Sequence, residues 1–397
     1  MPLDSALPGA GDDAGVLADA ASFSEHTTLA SLSADTLRDI SCRHGVDFTT
    51  ALLYDRVRRS SQHATFIAQI AEQTELSRAN SGGGIPRSRS AGTPDATIAV
   101  IPAAFYKEKP HSGADGRVVR EAAAQLGLGC ELIPLQSTGT LAENAAILLD
   151  WLAAHHDKSV ILVSLCKGGA DVKFALNSPE AGARFANAAA WVNICGTLNG
   201  SPVARWLLAT RPRFFAAWLF CKCKRLNFDF LRELVPSPRN SPSPGLRPPS
   251  PPLAAGEREG RGGASRFSGS KSEPWLGESS PPSPLSVPLR LPPGLRLVSI
   301  VGFPLRRHLT NAFMRRCHQI ISPLGPNDGG LLLADACHLP GVVYPVWGAD
   351  HYLRPQNRGR QIIAAVLLHL LEARSPSGPL PADGIPASDQ TARTPLA

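Results

Sequence analysis

Long apolar runs are missing from this chain. The longest, Ile362 to Leu371 (IIAAVLLHLL), is about half of the ~18–20 residues that a membrane-spanning helix needs, so a membrane span is not expected. Charge is also scarce, at 18% of residues. The surplus of +7 is mild and shows no overall pattern of basic residues interleaved with aromatics, which excludes a nucleic-acid binder as the first reading. The eight cysteines form no spaced framework. The opening MPLDSALPGAGDDAGVLADA has early acids and no basic segment ahead of an apolar one, so reduced thiols and a cytoplasmic location are expected. What is present is a hydrophobic fraction of 43%, enough for a real core. The length of 397 residues allows two or three domains, or one large domain with appendages.

Composition divides the chain. Residues 1–33 are small and acidic and read as a disordered tail. Residues 34–95 read as a helical N-terminal appendage, with Leu37, Ile40, Leu52, Leu53, Val57, Phe66 and Ile70 at roughly helical spacing, closing in a Gly/Ser/Pro linker. From 96 to 373, short apolar runs alternate with helical patterns: ATIAVIP (96–102), CELIPL (130–135), SVILVS (159–164), AAWVNIC (189–195), LRLVSIVGF (295–303) and GVVYPVW (341–347). Continuous apolar strands separated by helices predict an α/β fold with a mostly parallel sheet covered on both faces. The alternation is broken at about 236–293, which holds 15 of the 36 prolines and reads as a disordered insertion. A second soft tail occupies 374–397.

The chemistry is concentrated in VILVSLCKGGADVKFAL (160–176). A buried strand ends, Cys166 stands at the apex, a glycine pair follows, and a helix begins. Such a sharp strand-to-helix turn exposes its apical side chain at the carboxyl edge of the sheet and needs small neighbours, here Ser164 and Gly168, two positions away on either side. It also sets the Lys167 backbone N–H at a helix N-terminus, where aligned peptide dipoles favour an anion. A structural cysteine on a glycine-rich turn is the competing reading.

This stretch resembles the nucleophile elbow of the α/β-hydrolase superfamily, G-x-S-x-G, with Ser164 in place of the first glycine and Cys166 in place of the usual serine. A cysteine at that point is similar to dienelactone hydrolases and polyhydroxyalkanoate synthases. The resemblance implies an α/β-hydrolase fold over 96–373 with a helical cap at about 198–235. It also implies a general base and an acid downstream: His351 in GADHYLRP (348–355) and Asp328 in GPNDGG (325–330). Asp350 is the weaker acid candidate. The second oxyanion donor it implies is the backbone N–H of Phe105, because Ala103 and Ala104 stand where the superfamily often has His-Gly. Asp115 reads as a cap for the helix starting near Gly116.

The pair Cys221 and Cys223 in FCKCKR is half a zinc site at most, so no metal is expected. Cys130, Cys195 and Cys337 read as packing residues, and His155 and His156 suit the negative end of a helix. No cofactor is expected. The expected activity is hydrolysis of a small-molecule acyl ester or thioester through an acyl-enzyme on Cys166. The alternatives are acyl transfer by the same triad and a non-catalytic binding protein of the same fold. The cap is rich in Trp, Phe and Leu and carries six cations between Arg205 and Arg225; membrane-surface contact and ordinary solvated charge are its two readings.

Overall fold

Six strands, most of them buried along nearly their whole length, organise the molecule. The structure is a computed structural model that describes residues 10–24, 27–79, 96–236, 284–354 and 356–373. Strands β1 (Ala96–Ile101), β2 (Gly129–Leu132), β3 (Ser159–Leu165), β4 (Ala188–Ile194), β5 (Arg296–Phe303) and β6 (Val342–Trp347) form one sheet in the order β2-β1-β3-β4-β5-β6, and every pairing is parallel. Side chains alternate between its faces. Ile98, Val100, Ile161, Val163, Val192 and Ile300 join one apolar cluster, while Ala99, Ile101, Leu162, Trp191 and Leu297 join the other. Both faces are dry, which is why these strands read as unbroken apolar runs.

Helices α6 (Leu141–Ala154), α7 (Lys167–Leu176) and α8 (Ala181–Arg184) cover the second face. The first face is covered by α5 (Arg117–Gln125), by α14 (Gln356–Glu372) and by the N-terminal helices. These are α1 (Ala10–Ser22), α2 (Ala34–His44), α3 (Val46–Arg59) and α4 (Ser61–Ala79). Leu52, Leu53, Val57 and Ile70 share one cluster with Val343 and Val346 of β6. The expected appendage is therefore part of the main core. Strand β6 is an edge, and α4 closes it: Gln62 donates to Gly341 O at 2.6 Å and Val343 N–H donates to His63 Nδ1 at 3.3 Å. A covered edge cannot template pairing with another chain.

The reading of 1–33 as a disordered tail is corrected for residues 10–24 and 27–33. Helix α1 packs on α3, and Asp13 is buried. Sequence reasoning missed it because AGDDAGVLADAAS offers mostly alanine and only two large apolar residues for a helical stripe. The insertion also ends earlier than expected: Pro284–Ser286 forms a short 3-10 turn and Leu285 is buried. The rest of that insertion from 237 to 283, the linker at 80–95 and the tail at 374–397 lie outside the described residues. The cap consists of α9 (Pro202–Leu208), α10 (Arg211–Cys223) and α11 (Asp229–Glu233). Arg306–His308 forms a 3-10 turn before α12 (Ala312–Ile321), and α13 (Leu333–Cys337) precedes β6.

Candidate active site

The sheet's strand order reverses between β1 and β3, and crevices in open parallel sheets lie outside the carboxyl ends of the strands at such a point. Cys166 sits there, directly after β3, at φ 47° and ψ −115°. A non-glycine residue in that region is strained and needs its surroundings to hold it. They do so through the backbone: Cys166 N–H donates to Ile194 O at 3.1 Å, and Cys166 O accepts from Thr197 N at 3.0 Å and from Gly169 N at 3.0 Å. Gly168 is required by close approach, since a Cβ there would lie 2.7 Å from Ile101 O and 2.8 Å from Pro102 O. Ser164 fits in place of glycine because its hydroxyl is buried between partners, donating to Asn193 Oδ1 at 3.1 Å and accepting from Trp191 Nε1 at 2.8 Å. Of the five non-glycine residues with positive φ among the described residues, Phe105, Cys166, Cys195 and Leu353 all lie around this crevice.

Asp328 and His351 meet as the sequence suggests. His351 Nδ1 lies 2.8 Å from Asp328 Oδ2, and His351 N–H donates to Asp328 O at 3.1 Å. The other carboxylate oxygen accepts from Gly330 N at 2.8 Å and Leu331 N at 2.9 Å, so the fully buried carboxylate is satisfied on both sides. The NDGG string builds this cradle. Asn327 Oδ1 accepts from Gly329 N at 3.1 Å, Gly329 turns at φ 93°, and Gly330 leaves room for the imidazole, whose ring would lie 2.5 Å from a Cβ there. Asp350 is turned elsewhere: it caps Tyr352 N at 2.9 Å and pairs with Arg354 Nε at 3.0 Å.

Cys166 and His351 border the same cavity. Burial lowers the His351 pKa, but the Asp328 carboxylate, its hydrogen bond and charge at Cys166 outweigh it and hold the imidazole well above its ordinary value. Cys166 itself is half-buried and borders, with His351, Tyr352 and Leu353, a cavity of about 30 Å³, room for one water.

The oxyanion candidates lie on either side of the elbow. Lys167 opens α7, whose first N–H groups have no acceptor within the helix. Its side chain is buried, with Nζ 2.6 Å from Asp171 Oδ1. Burial raises the Asp171 pKa to about 6 against the opposing pull of Lys167 and Asn144. Asn144 bonds Asp171 at 3.2 Å and both backbone groups of Gln136, at 2.9 and 3.1 Å. The neighbouring Ser137 O takes the Phe105 N–H at a long 3.4 Å. The Lys167–Asp171–Asn144 chain thus ends on Gln136, next to the residue that holds Phe105 N–H. The Phe105 ring meets Phe230 of α11 edge-on at 5.5 Å, so the cap closes directly over this loop.

Sequence reasoning missed one neighbour. Cys195 was read as packing, and it is buried, but its sulfur lies within 4.8 Å of the Asp328 and His351 ligand atoms. The register pairs Leu165 with Ile194, which makes Cys195 the strand neighbour of Cys166; that pairing was the available signal. These three donors do not suit a metal. The Asp328–His351 hydrogen bond already uses one atom of each, and burial keeps Cys195 a neutral thiol where a ligand would be thiolate. Cys221 is buried and Cys223 exposed, so they present no paired ligands to one ion. Asp115 caps α5 through Arg117 N at 3.2 Å, and His155 and His156 bond carbonyls of the last turn of α6.

No protein-family model and no curated protein matches this sequence. Among solved structures, the chain is similar to the metagenomic carboxyl esterase MGS0156, with a TM-score of 0.50 and 19% identity over 77% of this chain and 91% of that one. The chain has the α/β-hydrolase fold. A fainter likeness joins it to the Bacillus licheniformis lipase BlEst2 in mature form, at a TM-score of 0.39 and 16% identity over 72% and 96% of the two chains. Cys166 after β3, Asp328 after β5 and His351 after β6 follow one another in chain order. No helix among the described residues is long and apolar enough to cross a membrane.

Proposed function

We propose that this chain hydrolyses an acyl ester or thioester through a covalent acyl-enzyme on Cys166. The observation that carries this reading is the strained Cys166 bordering one small cavity with an imidazole that Asp328 holds at 2.8 Å. His351 takes the thiol proton, and the sulfur attacks the carbonyl carbon to form a C–S bond. The negative charge on the carbonyl oxygen is met by the Lys167 N–H at the start of α7, and by the Phe105 N–H once it leaves its long bond to Ser137. The bond to the leaving group then breaks, and that group receives the proton from His351. A water gives its proton to the same imidazole and attacks the thioester. The C–S bond breaks, the acid departs and the thiol is restored. Asp328 keeps Nδ1 as the hydrogen-bonded nitrogen throughout, leaving the other nitrogen for proton transfer.

The 30 Å³ cavity has no room for an acyl group, so a substrate must widen it between Cys166, Ala114 and Tyr352. Acyl transfer is the second reading, favoured by sulfur at the elbow, because a thioester outlasts an ester in water yet yields to alcohols and thiols. The test is a panel of acyl esters and thioesters with and without competing acceptors. Cys166→Ala is expected to lose about 10⁴-fold in kcat/KM, and Cys166→Ser to retain part of it. Unchanged turnover in Cys166→Ala rules out this mechanism.

A further inference from the structure

The cap carries a second surface that the chemistry at Cys166 does not use. Helix α10 has one buried residue, Cys221, and shows Phe215, Leu219 and Phe220 to solvent at 59%, 44% and 48% exposure. Helix α12 packs against α9 and adds Phe313 at 64%. Half of the exposed large hydrophobics among the described residues therefore stand on one helix. From Ser201 to Phe228 there are six cations and no acid. Several cations are held against rings, with the Arg213 guanidinium 4.3 Å from the Trp206 centroid and Lys222 Nζ 6.0 Å from that of Trp218.

We propose that this face of the cap docks on an anionic lipid surface. Phe215, Leu219 and Phe220 enter the boundary between headgroups and acyl chains, and Arg211, Arg213, Lys222 and Lys224 meet lipid phosphates. A second copy of the chain fits the surface poorly. A two-fold contact would set the same acid-free cations against themselves. Single-stranded nucleic acid would use the cations and the rings but has no use for the exposed Leu219. Water-exposed apolar groups inside a cationic field satisfy both of their needs together only at a charged lipid interface.

The test is sedimentation of the full chain with phosphatidylcholine vesicles, with and without phosphatidylglycerol. Binding is expected only to the vesicles with phosphatidylglycerol, and to weaken as salt rises. The variant carrying Phe215→Ser, Leu219→Ser and Phe220→Ser is expected to bind about tenfold or more weakly. So is the variant carrying Arg211→Gln, Arg213→Gln, Lys222→Gln and Lys224→Gln. Both are expected to keep the wild-type far-ultraviolet circular dichroism and urea midpoint, which separates lost docking from lost folding. Cys166→Ala is expected to bind vesicles like wild type, so this inference and the hydrolytic reading fail separately. Absence of binding to the anionic vesicles overturns the proposal. So do equal binding by all variants, preference for an RNA oligonucleotide over vesicles, and self-association that the serine variant abolishes.

Discussion

The indole of Trp347 donates its N–H to the Asp13 carboxylate at 2.9 Å, across 334 residues of sequence. Trp347 ends β6, four residues before His351, so the first helix of the chain is pinned to the strand that delivers the candidate base. Arg307 Nε reaches the same carboxylate at 3.0 Å and His308 Nε2 at 3.0 Å. His308 Nδ1 accepts from Leu305 N at 3.0 Å, which leaves Nε2 as the ring nitrogen that donates to Asp13.

Asp13→Ala is expected to cost about 3–5 kcal/mol, because it strands a partly buried guanidinium and two buried N–H groups. Burial pushes the Asp13 pKa up, but hydrogen bonds from Arg307 and Trp347 and the charges nearby bring it below the ordinary value. Its stabilisation is therefore present above the unfolded carboxylate pKa and is lost as pH falls through the lower folded one. Urea titrations of wild type and Asp13→Ala from neutral to acid pH measure both effects. The difference between them is expected to shrink only at the acid end.

Gly330→Ala separates geometry from fold. Gly330 has ordinary backbone angles, but its Cβ would press on the His351 ring at 2.5 Å. A displacement of about 1 Å in a proton-transfer partner costs roughly 100-fold in rate. Ester turnover is expected to fall by about that much, with a circular dichroism spectrum like that of wild type.

The His351 pKa reports the groups around the ring directly. Burial opposes the charged ring, while Asp328 and Cys166 both support it. Removing the sulfur in Cys166→Ala is expected to lower the His351 pKa, and Asp328→Asn to lower it further. The raised pKa contributes stability that is complete below the unfolded histidine value and is lost as pH rises through the folded one. NMR titration of the His351 ring in the three proteins checks the order.

Lys173 ties the two ends of the cap and insertion together. Its buried ammonium donates to Leu198 O at 2.9 Å, to Asn199 Oδ1 at 3.1 Å and to Leu285 O at 2.9 Å, and burial lowers its pKa to about 8 against the pull of Asp335. Lys173→Met is expected to destabilise by about 3 kcal/mol, since three acceptors lose their donor. Leu234 and Leu285 share one apolar cluster, so replacing residues 240–280 by a short Gly/Ser linker is expected to leave the denaturation midpoint unchanged. A deletion that also removes Leu285 is expected to lower it.

The sheet was legible because its inner strands, between dry faces, are nearly continuous apolar runs, as in SVILVSL. The elbow was legible because Cys166 stands between a strand and a glycine pair, and NDGG and ADH carry turn chemistry that is local. Long-range relationships were hidden. Nothing local marks Asp13 as the partner of Arg307, His308 and Trp347, since a lone acid in an alanine-rich stretch reads the same in a tail or a buried helix. Cys195 was read as packing because its strand alone shows only burial. Its place beside His351 depends on the β3–β4 register and on a turn 133 residues further along.

The most direct test is acid-quenched mass spectrometry of the full chain during turnover of an activated acyl ester. One acyl group is expected on the peptide containing Cys166, gone in Cys166→Ala and accumulating when His351→Ala slows its removal by water. An acyl group on another residue, or turnover that persists in Cys166→Ala with no adduct, contradicts the account.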